Sequence, residues 1–429
     1  MKKYGEYVAT PEAIWFNDIP SDWRSTKMRE LFSERNTKVS DKEYSALSVG
    51  KMGVVPQLET AVKTDNGDNR KLICTGDFAI NSRSDRKGSC GISEYDGSCS
   101  LIITVLKPHD ELNGRFYHYL LRSHYFSEEY YRNGKGLVSD LWTTKWDEMR
   151  NIYIPVPPRH EQDQIVRFLD YKTAKIDKLI SGYKRQIELL EERKLTVIDE
   201  AVIHGVDNAE LKDSGTNWIR KIPVHWEMVF SKKLFAERKD KAFPDDEQLT
   251  ASQKYGVITQ RDFMEREQRR VTVVMKGEDI LKHVGKGDFV ISMRSFQGGL
   301  EYSYVEGKIS SAYVMLIPRK EKVYDEYFKW LLKSRPYIKA LQGTADLVRD
   351  GQALRYANFA KVSLPIIPLD EQKRIAEYIE AEIAKINRAI PLIQKQITLL
   401  QEYRTRLISD VVTGQVDVRD ETIPETEVN

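Results

Sequence analysis

This amino-acid sequence is written twice, and the duplication restricts its possible folds more than any other feature. Residues 15–38, WFNDIPSDWRSTKMRELFSERNTK, align with residues 218–241, WIRKIPVHWEMVFSKKLFAERKDK, at an offset of 203. Trp15, Ile19, Pro20, Trp23, Leu31, Phe32, Glu34, Arg35 and Lys38 meet Trp218, Ile222, Pro223, Trp226, Leu234, Phe235, Glu237, Arg238 and Lys241. The correspondence continues in order through GVVPQ at Gly53 and GVITQ at Gly256, GDFAINSR at Gly76 and GDFVISMR at Gly287, and FYHYLLRS at Phe116 and YFKWLLKS at Tyr327. It closes on IPVPPRHEQDQI from Ile154 and LPIIPLDEQKRI from Leu364, where the offset has become 210. Whatever one half folds into, the other half must build again.

Each half has two textures. Its first part, about 150 residues, mixes short apolar runs such as KLICTGDFAI, CSLIITVL, KGDFVISM and AYVMLIP with Gly and Asn turns and one amphipathic helix. That pattern reads as an α+β domain. The prolines of each junction then deny the backbone its donors, and a long charged helix follows. Leu169, Ile176, Tyr183, Leu190 and Val197 recur every seven residues, with Leu179, Ile180, Ile187 and Ala201 between them. An offset of 210 brings up Ile379, Ile386, Ile393, Leu400 and Leu407, with Ile390, Ile397 and Val411 between.

Such a heptad seam demands a partner. A helix of roughly 43 residues would span about 65 Å, further than a small domain reaches, so the obvious cover is the other copy. The expected fold is a tandem repeat of two α+β domains, separated by two long helices packed as an antiparallel coiled coil with pseudo-two-fold symmetry. The expected boundaries are a first globular domain at 1–158, a first helix at 159–205, a second globular domain at 206–368, a second helix at 369–415 and an acidic tail at 416–429. Pro391, opposite Ser181, should bend or break the second helix, and the endings IHGVD and TGQVD differ by a one-residue slip.

Composition narrows the function. Charged residues are 31% and hydrophobic ones 41%, no apolar run approaches the length of a membrane span, and no secretory signal opens the chain, so a cytoplasmic protein without a membrane role is expected. Cys74, Cys90 and Cys99 form no C-x-x-C pair and read as idle thiols rather than a metal site. A net charge of +2 means that any nucleic-acid surface is local. The chain lacks the Asn/Asp-Pro-Pro-aromatic signature of an amino-methyltransferase and a phosphate-binding G-x-x-x-x-G-K-[ST] loop. No catalytic residue and no resident cofactor or metal is expected.

The W..IP..W openings, GDF.I..R, the P..P...EQ..I junctions and the heptad helices, in this order and twice over, resemble the specificity subunits of type I restriction-modification systems. The resemblance covers essentially the whole chain. It implies two target-recognition domains, each reading one half of a split, asymmetric site in double-stranded DNA. It also implies helices that carry two methyltransferase subunits, which bind S-adenosylmethionine, with restriction and translocase subunits joining that core. This chain would then do no chemistry itself.

The DNA-contacting candidates lie in loops at matching places of the two copies. Lys51, before GVV, corresponds to Ser252, Gln253, Lys254 and Tyr255 before GVI. Arg83, Ser84, Arg86 and Lys87 follow the first GDF strand, and Arg294, Ser295 and Gln297 follow the second. A third loop supplies Lys135, Thr143 and Lys145, or Thr344, Arg349 and Arg355. Arg and Gln read guanine and adenine edges, and Gly-rich loops with cations suit phosphates. Trp15, Trp23, Trp218 and Trp226 stand in both copies and read as core or interface residues. The competing function is a coiled-coil scaffold without a DNA role, which would leave two large unlike domains without a purpose.

Overall fold

The computed structural model describes residues 2–58, 67–83, 88–109, 112–136, 142–268, 280–292, 295–344 and 354–424. The chain divides into two compact units, one of Met1–Lys184 with Gln394–Asn429, the other of Arg185–Ile393. Each unit holds one globular domain, the start of one long helix and the end of the other.

The first domain is built on a four-stranded antiparallel sheet in the order Cys90–Ile92, Phe78–Asn81, Ile103–Pro108, Phe32–Glu34. The second repeats that order with Glu301–Tyr302, Phe289–Ile291, Val314–Pro318, Phe235–Arg238. The register repeats too, since Phe78 faces Leu106 and Phe289 faces Leu316. These central strands are apolar on both faces, as strands covered on both sides must be. A hairpin, Leu47–Gly50 with Gly53–Pro56, has its counterpart in Leu249–Ser252 with Gly256–Thr259. Helices Gly114–Leu120 and Asp325–Leu331 bury the aromatic pairs Phe116, Tyr117 and Tyr327, Phe328.

The repeated Glu-Arg and Gly-Asp-Phe triplets meet in space. Arg35 grips Asp77 through Nε and Nη2 at 2.6 and 3.0 Å, and Arg238 grips Asp288 at the same two distances. Both carboxylates are nearly buried, at 2% and 1% exposure, and each also accepts a backbone N–H, from Cys74 or Gly285. A planar guanidinium with two parallel bonds fixes the strand start against the strand from which the arginine comes.

The junction recurs because it latches the long helix to its domain. Gln162 donates to the Pro157 carbonyl at 2.9 Å and accepts from the Asn113 N–H at 3.1 Å. Gln372 donates to the Ile367 and Lys322 carbonyls, both at 2.8 Å, and accepts from the Tyr324 N–H at 2.8 Å. Asn113 and Tyr324 are the residues that open the matching amphipathic helices. The neighbouring glutamate turns the other way: Glu161 accepts the Tyr4 hydroxyl, and Glu371 accepts Trp226 Nε1 at 3.0 Å and meets His225 at 2.8 Å.

The long helices run Arg159–His204 and Leu369–Val412. Within the first unit Gln164 reaches the Val418 carbonyl while Asp177 meets Arg404. Within the second, Asp207 meets Arg374 while Lys194 meets Asn387. In both units residue numbers rise on one helix as they fall on the other, which is antiparallel packing. The seam is a strict heptad: Leu169, Ile176, Tyr183, Leu190 and Val197 alternate with Thr173, Ile180, Ile187, Lys194 and Ala201, all buried or half-buried. On the second helix Ile379, Ile386, Ile393, Leu400 and Leu407 alternate with Ile383, Ile390, Ile397, Arg404 and Val411, again all withdrawn from solvent. Leu179, expected between seam residues, is 53% exposed and lies off the stripe.

The seam also carries cations at equivalent positions. Lys194 donates to Asn387 Oδ1 at 3.1 Å and Arg404 pairs with Asp177 at 3.2 Å; Asp177 and Asn387 are 210 apart, as are Lys194 and Arg404. A polar pair on an apolar seam trades stability for register. Pro391 does not interrupt the second helix. It is exposed, as is Asn387, whose carbonyl loses its helical donor to the proline ring, so water can take that bond.

The one-residue slip falls at the helix ends. Gly205 and Gly414 both adopt left-handed φ, +74° and +75°, and end their helices there. A Cβ on Gly414 would stand 2.4 Å from Pro20 Cδ, and Trp23 and Trp226 lie directly over Gly414 and Gly205. Trp23 and Trp226 are core residues at 6% and 0% exposure. Trp15 and Trp218 are half-exposed and donate to the carbonyls of Tyr153 and Ser363, tying each opening to the strand before the junction. Of the segment read as an acidic tail, Val416, Asp417 and Val418 are buried in the first unit, where the Asp417 N–H meets the Lys2 carbonyl.

Candidate nucleic-acid interface

In the first unit three loops converge. The hairpin turn carries Lys51, and the strand Phe78–Asn81 leads into Arg83. The backbone of Thr143 bridges both Arg83 and Lys135, with Lys135 and Thr143 exchanging N–H to carbonyl bonds of 2.8 and 2.9 Å. Lys51 and Arg83 share the wall of an open groove of about 760 Å³ with Ser48, Gln57, Asn81 and Ser89. Both are exposed, and neither side chain has an ion-pair partner among the described residues. Arg70, on the same groove, is held by Ser98 through two bonds of 2.9 and 3.0 Å.

Not every expected cation is equally free. Lys135 pairs with Glu148 at 3.2 Å. Burial alone would raise the Glu148 carboxyl, but Lys135 and backbone N–H donors outweigh it and hold it below its usual range. Glu148 also accepts from the Lys145 N–H, so Lys145, though exposed, opens the short helix Trp146–Met149. Ser84, Arg86 and Lys87 lie outside the described residues.

In the second unit the turn Ser252-Gln253-Lys254-Tyr255 is more elaborate. Ser252 Oγ accepts from the N–H groups of Lys254 and Tyr255, shaping the turn. Lys254 sits 4.7 Å over the Tyr255 ring and pairs with Glu267 at 3.2 Å, and the Tyr255 hydroxyl donates to the same carboxylate. Gln253 lies against Gly298, at the end of the short helix Ser295–Gly298 that presents exposed Gln297. The turn and this helix are therefore one surface. Arg294 and Arg349 lie outside the described residues, as does the side chain of Ser295.

Thr344 and Arg355 serve the fold. Thr344 donates to the Leu341 carbonyl at 2.7 Å and its own carbonyl accepts from Asn358, while the Arg355 N–H donates to Asn358 Oδ1, the counterpart of Lys145 with Glu148. Thr344 faces a separate cleft of about 800 Å³ with Trp218, Lys339 and Lys361.

The sequence reading missed an aromatic cluster beside the second turn. Lys329 lies 4.0 Å over the Tyr302 ring and 4.7 Å over Tyr304, lining with Lys254 and Tyr255 a pocket of about 310 Å³. The signal was present as EYSYVE, against GISEYD in the first half. The three cysteines are free thiols, and burial pushes Cys90 and Cys99 up to about 12. Among the described residues no group of three or more His, Cys, Asp or Glu could hold a metal ion, and no helix is long and apolar enough to cross a membrane.

The model of the type I restriction modification DNA specificity domain matches residues 20–189 and again residues 223–396. The chain belongs to this specificity family. A protein of Methanocaldococcus jannaschii named as the type I restriction enzyme MjaX specificity subunit is 22% identical over 426 residues, covering 94% of this chain and 95% of its own. The MjaVIII specificity subunit of the same organism is 25% identical over 286 residues, 63% of each chain. Among solved structures, the fold matches a chain from a study of complex assembly and conformational transition in a type I restriction-modification system, with a TM-score of 0.65 at 14% identity over 93% of this chain and 99% of that one. It also matches the HsdS subunit of Thermoanaerobacter tengcongensis, with a TM-score of 0.55 at 16% identity over 93% and 98%. The two family domains coincide with the two halves of the duplication. The repeated triplets and junctions are thus the frame of the specificity fold, and the loops between them are where its copies differ.

Proposed function

We propose that this chain is the DNA-reading subunit of a type I restriction-modification complex. Each globular domain reads one half of a bipartite, asymmetric duplex site. The long helices serve as spacer and as scaffold for two methyltransferase subunits, with the restriction and translocase subunits joining that core. The chain does no chemistry: S-adenosylmethionine binds on the methyltransferase subunits, and the complex works in the cytoplasm.

One observation carries this reading. Two copies of a DNA specificity domain share one frame, yet present unlike polar groups at the same hairpin turn, Lys51 in one and Gln253, Lys254 and Tyr255 in the other. Identical readers would read a symmetric site, and unlike readers read an asymmetric one. Lys51 and Arg83 supply charge for phosphates and, in Arg83, a fork for a guanine edge. Gln253 and Gln297 supply amides suited to adenine.

Fluorescence anisotropy of the assembled complex on duplex DNA tests it. The expected result is tight binding to the methylated motif, with log affinity falling linearly as log salt rises. A scaffold without a DNA role would bind neither specifically nor with that slope.

A further inference from the structure

Each hairpin turn at the candidate interface is gripped by a cation from the end of the amphipathic helix, and the two copies do it with different chemistry. In the first unit Arg122 donates from Nη2 to the Lys51 carbonyl at 2.7 Å and from Nη1 to the Cys90 carbonyl at 2.8 Å. The guanidinium thereby bolts the turn to the strand Cys90–Ile92. Two glycines make room for it: a Cβ on Gly91 would stand 3.3 Å from Nη1 and 3.0 Å from Gly53 Cα, and one on Gly53 would stand 3.4 Å from Nη1.

In the second unit the residue at the same place in the repeat is Lys333. Its Nζ donates to the Gln253 carbonyl at 3.2 Å and pairs with Glu301 at 2.6 Å. Glu301 is 1% exposed and, by strand register, occupies the position that Gly91 holds in the first copy: Glu301 faces Val290 as Gly91 faces Ala79. A guanidinium bridges two carbonyls by itself, whereas a point charge needs a fixed counter-charge to hold its place.

We infer that Arg122 and Lys333 are positioning residues for half-site reading: each sets the backbone of the turn whose side chains face DNA. This rests on the function proposed above. The first turn is flanked by Gly50 and Gly53, and Met52 at its tip is 87% exposed, so beyond the last ladder pair, Gly50 with Gly53, the Arg122 fork holds the Lys51 carbonyl in place. In the second, Lys333 fixes the Gln253 carbonyl while the Gln253 side chain rests on Gly298, coupling the turn to the helix that presents Gln297. The cations lie behind the turns and act through them.

The test is methylation mapping, in a host carrying this chain with its methyltransferase partner, of Arg122→Met, Arg122→Lys and the pair Lys333→Met with Glu301→Gln. The paired change avoids stranding a buried carboxylate. Arg122→Met should relax discrimination at the first half-site by about tenfold, the worth of a hydrogen bond to a charged group, and leave the second half unchanged. The paired variant should do the reverse, and Arg122→Lys should relax the first half less. Relaxation confined to the matching half supports the inference; equal weakening of both halves overturns it in favour of a purely structural role. If Arg122→Met fails to assemble, Arg122→Lys decides, and a wild-type motif from it overturns the inference. Lys51→Ala and Gln253→Ala separate the two levels. If they relax their halves while the cation variants leave the motif intact, the positioning role alone falls. If neither they nor the cation variants alter the motif, the turns do not read DNA, and the reading of the interface falls with the inference.

Discussion

The pairing of Arg35 with Asp77 predicts a large and reversible loss of order in the first unit. Arg35→Met keeps the apolar stem of the side chain and removes both guanidinium bonds, at 2.6 and 3.0 Å. Asp77 then remains 2% exposed, and its carboxylate keeps the Cys74 N–H at 2.8 Å. Stranding one member of a buried pair costs about 3–5 kcal/mol. Adding Asp77→Asn removes the stranded charge and keeps an oxygen for Cys74, so the double variant should lose only about 1–2 kcal/mol. Because a chain of two units has no single unfolding free energy, the assay is hydrogen exchange by mass spectrometry. Amides of the strands Phe78–Asn81 and Ile103–Pro108 should exchange roughly 100- to 5,000-fold faster in the single variant, and most of that protection should return in the double. The strand Phe289–Ile291 of the other unit should be unaffected. A single variant within about threefold of wild type, or a double variant no better than the single, would refute the buried-pair reasoning.

Three further outcomes follow from the same geometry. Burial, then the charges of Arg122 and Arg115, lower His118 from the ordinary 6.5 to about 4; the unfolded chain therefore takes up the proton first, so the first unit should lose stability as pH falls from about 6.5 towards 4 and not above that window. His118→Gln should flatten this dependence in pH-resolved thermal melts. Ile180→Asp, at 8% exposure on the seam, should abolish assembly by size-exclusion chromatography, while Leu179→Asp, at 53%, should leave the helix pair intact. Arg83→Ala should weaken duplex binding by about 1–3 kcal/mol if it reads a base, with relaxed preference in one half-site only, and otherwise reduce the salt slope by about one.

The architecture was legible because its determinants are one-dimensional. A duplication, a heptad and a proline junction are visible as offsets along the chain, and the antiparallel pairing follows from the need to cover two long seams. Pairings across the fold were not legible. Arg35 and Asp77 are 42 residues apart, and only their recurrence as Arg238 and Asp288 hinted that they act together. The alternate seam positions were hidden by Thr173, Lys194 and Arg404, which do not look like seam residues until the cross-helix partners Asn387 and Asp177 are seen. Leu179 was drawn into the seam on polarity alone. At the interface, charge was readable but commitment was not: Lys135 and Lys254 carry the same letter as Lys51, yet each has a carboxylate partner. Arg122 and Lys333 are not legible as holders of the turns because they reach them through the Lys51 and Gln253 carbonyls, which no sequence pattern displays.

Under the proposed function, one chain holds two independent readers. The most direct measurement is long-read methylation mapping in a host carrying the methyltransferase partner, comparing this chain with a chimera whose residues 1–157 come from a relative of different specificity. The exchange should run to Pro157, because the strand Tyr153–Val156 pairs with Arg24–Lys27 and belongs to the first domain. The expected motif is bipartite, with one half changed to that of the relative and the other half retained base for base. A motif that changes in both halves, or one that is contiguous rather than split, would contradict it.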